Sequence, residues 1–215
     1  MDRMWWLRVM RVVAALSIVI AMGYQIFSLR DLGMFRPPNF FSFFTIQSNL
    51  FAAAVLFTGG LGLARSDERR WNLVRGAAVL YMFTTGVVYG LLLTGYQEAL
   101  QTHIPWVDTT LHRVIPLVMV ADWLLDPPGR PIRFRDGLMW TLFPVAYLLY
   151  SLVRGPIVDW YPYPFLDPEL VGGYAGVLAF CVGIAIGILG FVWLVTTVGG
   201  RWRLADDASQ GPRAR

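Results

Sequence analysis

Lysine is absent from this chain of 215 residues, cysteine occurs once and histidine twice. The lone Cys181 excludes an internal disulfide or a cysteine cluster. His103 and His112 are too few for a bundle-core haem or a zinc site, so the expectation is no metal and no cofactor. Charge is scarce too: 15% of residues, where a soluble domain carries ~25%. The arginine-only basic set reads as the coding bias of a GC-rich genome. Spread over short loops and a tail, its net +4 marks topology, and no nucleic-acid partner is expected.

What is abundant is apolar. Hydrophobic residues make up 56% and aromatic residues 15% of the chain. Long apolar runs predict an all-α membrane protein, a six-helix transmembrane bundle in one domain over 1–200, with a disordered cytoplasmic tail over 201–215. The expected spans are Trp5 to Leu29, Phe41 to Ala64, Leu73 to Tyr96, Val107 to Leu125, Leu138 to Val153 and Gly172 to Val198. The fifth is short enough to extend into its flanks. Arg65, Arg69, Arg70 and Arg75 crowd the second connection, Arg130, Arg133 and Arg135 the fourth, and Arg201, Arg203, Arg213 and Arg215 the tail. The positive-inside rule then puts both termini in the cytoplasm and connections one, three and five outside. Gly86 with Gly90, Gly172 with Gly176 and Gly183 with Gly187 are spaced for close helix approach, either inside the bundle or in a homo-oligomer.

The polar residues that enter these runs are the candidates for chemistry. FFTIQSN, residues 43–49, places Thr45, Gln47, Ser48 and Asn49 at the start of the second span. By helical rise Thr45 lies ~6 Å below Phe41, and His112 ~7.5 Å below Val107, so a hydroxyl and an imidazole share one depth on two helices. A threonine hydroxyl needs an adjacent base to attack a carbonyl, and histidine suits that role. Asn49, one turn below Thr45, can face an oxyanion, with Gln47 and Ser48 in support. Asp108, one turn above His112, can hold its tautomer, and Asp159 in the fifth connection is a second candidate. Asp122 is ~15 Å from His112 along the helix, where pairing with a loop arginine explains it. Arg113 can bind an anionic head group or snorkel to the interface. His103 reads as a solvated loop residue.

The bland alternatives carry weight. Thr45, Ser48 and Asn49 can make interhelical hydrogen bonds, with Asn39 or Ser42 as N-cap. Pro116 frees the His112 carbonyl and can bend the fourth span. Tyr161, Tyr163 and Phe165, set among prolines, form either an interfacial aromatic belt or a roof that grips an acyl chain.

The FFT entry, the stretch LHRVIPLVMVADWL and the loop motif YPFL resemble the androgen-induced and androgen-dependent TFPI-regulating proteins, a six-span membrane family with bacterial relatives. The resemblance implies a threonine hydrolase of the bacterial inner membrane acting on fatty acid esters of hydroxy fatty acids, with Thr45 and His112 as catalytic pair. It places Asp122 at the acid ten residues past the histidine. The competing expectation is a lipid-binding or transport-type membrane protein that uses the same pocket without covalent chemistry.

Overall fold

The computed structural model describes residues 3–63, 68–96, 100 and 104–209; side chains are described up to residue 198. Arg65, His103 and the end of the chain from 210 lie outside them. Among the described residues the fold is helical throughout. Helix α1 is Arg3–Asp31, followed by a one-turn α2 (Pro37–Phe40) and α3 (Phe44–Leu61). Helix α4 (Glu68–Val88) ends in a π turn, Tyr89–Leu93. Then come α5 (Pro105–Thr109), a second π turn (Thr110–Val114) and α6 (Ile115–Leu125). The short α7 (Phe134–Gly137) runs through a 3-10 turn into α8 (Leu142–Val158), and α9 is Tyr174–Ser209. Helix α9 thus continues into the segment expected as a disordered tail.

Among the described residues, five helices are long and apolar enough to cross a membrane: Met4–Asp31, Phe44–Leu61, Glu68–Leu93, Phe134–Val158 and Tyr174–Val198. The fourth expected span is helical over Pro105–Leu125, ~30 Å at 1.5 Å per residue. It falls outside that set because Asp108, Arg113 and Asp122 interrupt it, and two of these are buried inside the bundle. The fifth span extends into its N-terminal flank, where α7 and the 3-10 turn prolong it.

Small residues decide which helices touch. A Cβ on Gly60 would come within 2.7 Å of Val12 Cγ2 and 3.0 Å of the Arg8 carbonyl, so α1 and α3 approach nearly backbone to backbone. A Cβ on Gly86 would meet Pro116 at 3.0 Å, the close contact of α4 with α6. The remaining glycines of these pairs do not make the expected contacts inside the bundle. Gly90, Gly183 and Gly187 have open space over them, while Gly172 and Gly173 form a turn at positive φ, where glycine alone avoids Cβ strain.

Helices α8 and α9 are the least buried of the apolar helices. Side chains rather than backbone contact hold α8: Phe143 stacks on Phe44, Tyr147 donates to the Ser42 carbonyl at 2.9 Å, and Arg154 donates to Asn39 Oδ1 at 2.7 Å. The wide spacing this leaves becomes a cavity.

At the far end of the bundle from Thr45, three buried charges, Arg11, Arg75 and Asp122, meet the partly exposed Asp126. Asp122 accepts from Arg11 Nε at 2.6 Å and Arg75 Nη2 at 3.0 Å, and Asp126 Oδ2 accepts from Arg11 at 2.5 Å. Arg75, counted with the second connection, pairs with Asp122 from within α4, and Arg11 joins it from α1. The cluster ties α6 to both neighbours and fixes its height.

Candidate functional site

Thr45 stands in the first turn of α3. The helix starts at Phe44 because Phe43 is extended (ψ 131°) and caps it without a side-chain bond. The expected caps are used elsewhere: Ser42 Oγ donates to the Pro38 carbonyl at 2.6 Å, and Asn39 accepts from Arg154. Thr45 is therefore nearer the helix mouth than a start at Phe41 implies. Its backbone N–H, free at the N-terminus of the helix, donates to Tyr163 Oη at 3.2 Å.

The π turn Thr110–Val114 carries His112. Proline at 116 has no N–H for the His112 carbonyl, and the Ile115 N–H instead reaches back to Thr110. His112 Nε2 lies 3.2 Å from Thr45 Oγ1. Its Nδ1 faces two acceptors, Asp108 Oδ1 at 3.0 Å and the Asp108 carbonyl at 3.2 Å. Two acceptors at Nδ1 assign the hydrogen there, so Nε2 offers its lone pair to the Thr45 hydroxyl. Tyr89, in the other π turn, donates to Asp108 Oδ2 at 2.5 Å and stacks on the imidazole at a centroid distance of 4.1 Å. Thr45, Asp108 and His112 are each buried.

Tyr163 completes the group. Its Oη is 3.4 Å from Thr45 Oγ1. Because the Thr45 proton points to His112, the phenol proton is the one that fits this contact. Burial pushes the Tyr163 phenol up from its ordinary value, and its hydrogen bonds to Thr45 offset part of that rise. It therefore keeps its proton at neutral pH and remains a donor.

The structure distributes the other candidates differently. Asn49 does not face an oxyanion: its Nδ2 hydrogens go to the carbonyls of Thr45 at 2.9 Å and Leu111 at 3.2 Å, bracing α3 against the His112 turn. Ser48 bonds the Phe44 carbonyl at 2.7 Å and Thr85 Oγ1 at 3.0 Å, and Gln47 donates to the Phe41 carbonyl at 2.9 Å. Arg113 is exposed and lies over the Tyr89 ring, 5.7 Å from its centroid, away from the cavity lining. Asp159 caps α8 at φ 51° and is exposed, which leaves Asp108 as the acid at His112. Phe165 stacks on Tyr163 and lines the cavity; Tyr161 packs over Gly155 instead.

Two spaces adjoin Thr45. The larger, about 300 Å³, is bounded by α3, α4, α8, α9 and the loop from Tyr163 to Leu166. Its walls are apolar apart from a few hydroxyls, with Phe44, Val88, Leu148, Phe165, Ile184 and Ile188 among them. The smaller, about 10 Å³, is walled by Gln25, His112, Thr45, Tyr163 and four apolar residues; that is about one water molecule. Three contributors escape sequence reasoning: Tyr89, hidden in the greasy run YGLLL, the hydroxyl role of Tyr163, and Gln25, whose one signal is being an amide inside an apolar span. Among the described residues no group of acids, histidines or cysteines is arranged to hold a metal.

Compared with known protein families, characterised proteins and solved structures, the chain matches none.

Proposed function

We propose that this chain is a six-span membrane hydrolase of acyl esters, with Thr45 as nucleophile, His112 as general base and Asp108 as the residue that orients the imidazole. The observation that carries the reading is the polarity of His112. Its proton-bearing nitrogen donates to the Asp108 carbonyl, with the Asp108 carboxylate 3.0 Å away, and its lone pair faces an alcohol, the arrangement a weak nucleophile needs. Pro105–Leu125 is the sixth span in this reading, and the arginine distribution puts both termini in the cytoplasm and the Thr45 end outside. The likeness to the androgen-induced family supports the same pair and suggests fatty acid esters of hydroxy fatty acids as substrates.

In the reaction His112 Nε2 takes the Thr45 proton as Oγ1 bonds to the ester carbonyl carbon. The carbonyl π electrons move to oxygen, where the Tyr163 hydroxyl stabilises the charge, joined by the Thr45 N–H as it exchanges its Tyr163 Oη contact for the oxyanion. Collapse expels the alkoxide, which receives the proton from His112. A water in the small space beside Gln25 then gives its proton to His112 and attacks the acyl-threonine, releasing the acid and restoring Thr45. Asp108, held by Tyr89, stabilises the imidazolium in both halves. No step requires a cofactor.

The apolar cavity equally suits the second reading, a lipid-binding or transport protein without covalent chemistry. Purified protein in nanodiscs, given a panel of long-chain esters, separates the two. Release of fatty acid that disappears in Thr45→Ala and His112→Ala variants with unchanged melting supports the hydrolase. Binding of the intact ester without release by the wild type supports the carrier.

A further inference from the structure

The cavity beside Thr45 has its mouth in an unusual place. Two of its lining residues, Val145 on α8 and Leu189 on α9, are 52% and 45% exposed, and Ala185 is exposed as well. Val145 and Ala185 stand at the middle of the 25-residue apolar helices Phe134–Val158 and Tyr174–Val198. Helices of that length cross the hydrocarbon layer, so the mouth opens at the depth of the bilayer midplane. Thr45, by contrast, is in the first turn of its helix, near one edge of the layer. The cavity therefore descends from Thr45 to an opening that faces lipid tails.

We propose that this cavity binds one unbranched acyl chain drawn sideways from the bilayer between α8 and α9, with its carbonyl at Thr45 and its tail leaving through the midplane opening. The proposal takes the catalytic reading of Thr45 as its starting point and adds the entry route, the exit of the tail and the chain length that the cavity holds. At the midplane the molecules that meet such an opening are acyl chains, and the lining gives them only apolar contact apart from a few hydroxyls. The walls extend from Cys181 to Leu189 along α9, ~12 Å by helical rise. An extended alkyl chain advances ~1.25 Å per carbon from its bond length and tetrahedral angle, so about ten carbons fit before the tail re-enters lipid. A closed pocket would reject longer chains. This one makes them indifferent: in monomerically dispersed esters kcat/KM rises with chain length, by up to roughly fourfold per methylene, and levels off near ten carbons without falling.

Cys181, the only thiol of the chain, lies on the cavity wall and reports on occupancy without any hydrolysis. The full-length protein in nanodiscs is treated with pyrene maleimide, which dissolves in the bilayer, and separately with a sulfonated, water-soluble maleimide. A non-hydrolysable dodecyl ether analogue of the ester is the competitor. Pyrene labelling that outpaces the sulfonate, falls at least fivefold with the ether, and drops tenfold in Ala185→Trp or Val145→Trp is the expected result. Both positions face outward at the mouth, so a tryptophan there leaves the bundle's packing alone. Labelling indifferent to the ether and to both tryptophans would overturn the proposal, as would a sulfonate that reacts as fast as pyrene. Protection by the ether in a protein that hydrolyses no ester would keep the acyl site and reject the hydrolase reading, so the two failures are distinguishable.

Discussion

Replacing Asp122 with asparagine separates structure from chemistry at the acid that the family resemblance singles out. Asp122 is 3% exposed and its carboxylate takes one contact each from Arg11 and Arg75, themselves 6% and 4% exposed. With Asp126 the four charges sum to zero. In Asp122→Asn the two guanidiniums are left with Asp126 alone, at 2.5 Å from Arg11 and 3.6 Å from Arg75. One buried positive charge goes uncompensated, which costs about 3–5 kcal/mol. For a chain of this size that lowers the melting temperature by roughly 6–20 °C. Circular dichroism melts in one fixed detergent read the shift. The double variant Asp122→Asn with Arg75→Gln restores neutrality and recovers at least half of the loss, because the two residues couple directly. Turnover measured well below the melting temperature stays within a few-fold of wild type, since ~15 Å of helix separates Asp122 from His112. A variant that melts like wild type yet loses turnover would refute this account and make Asp122 part of the chemistry.

Three further outcomes follow from the Thr45 end. Asp108→Asn frees the His112 tautomer and lowers kcat by on the order of 10²–10⁴ with little change in KM; steady-state kinetics on a soluble ester check it. Tyr163→Phe keeps the edge contact with Phe43 and the stack on Phe165 and removes one oxyanion donor, so kcat falls about 10²–10³-fold. Its raised phenol pKa means that wild-type kcat holds through the alkaline range to above the ordinary tyrosine value of ~10. Gln25→Leu disturbs the water space and leaves the acyl cavity intact. Stopped-flow with a chromogenic ester then gives a full initial burst followed by a steady rate at least tenfold slower, with acyl-threonine accumulating.

Much of the helical plan was legible because apolar runs of span length have few other uses. The pairing of Thr45 with His112 was legible through depth alone, as the helical rise sets height without knowing which faces meet. Asp108 followed from the four-residue period, and the π turn that begins after it still leaves its carboxylate at Nδ1. Periodicity misled at Asn49: the same i, i+4 spacing that puts it under Thr45 brings its amide onto the Thr45 carbonyl. Tyr163 read as one aromatic of a loop, since nothing local says that its hydroxyl meets a residue 118 positions away. The partners of Asp122 were hidden for a related reason. Arg11 lies near the start of the first apolar span, where nothing local marks a partner, and the close approach of α1 to α3 and α6 buries it. Glycine spacing guided the packing inside the bundle only in part, because a small residue permits contact without naming the partner, as the open faces of Gly183 and Gly187 show.

The central claim is that His112 activates Thr45 for covalent attack. A fluorophosphonate probe applied to the purified protein, with the adduct mapped by mass spectrometry, tests it most directly. The account predicts a phosphonyl adduct on Thr45 that disappears in a His112→Ala variant of unchanged melting temperature. Intact protein with no adduct on Thr45, or one equally abundant without His112, would contradict it.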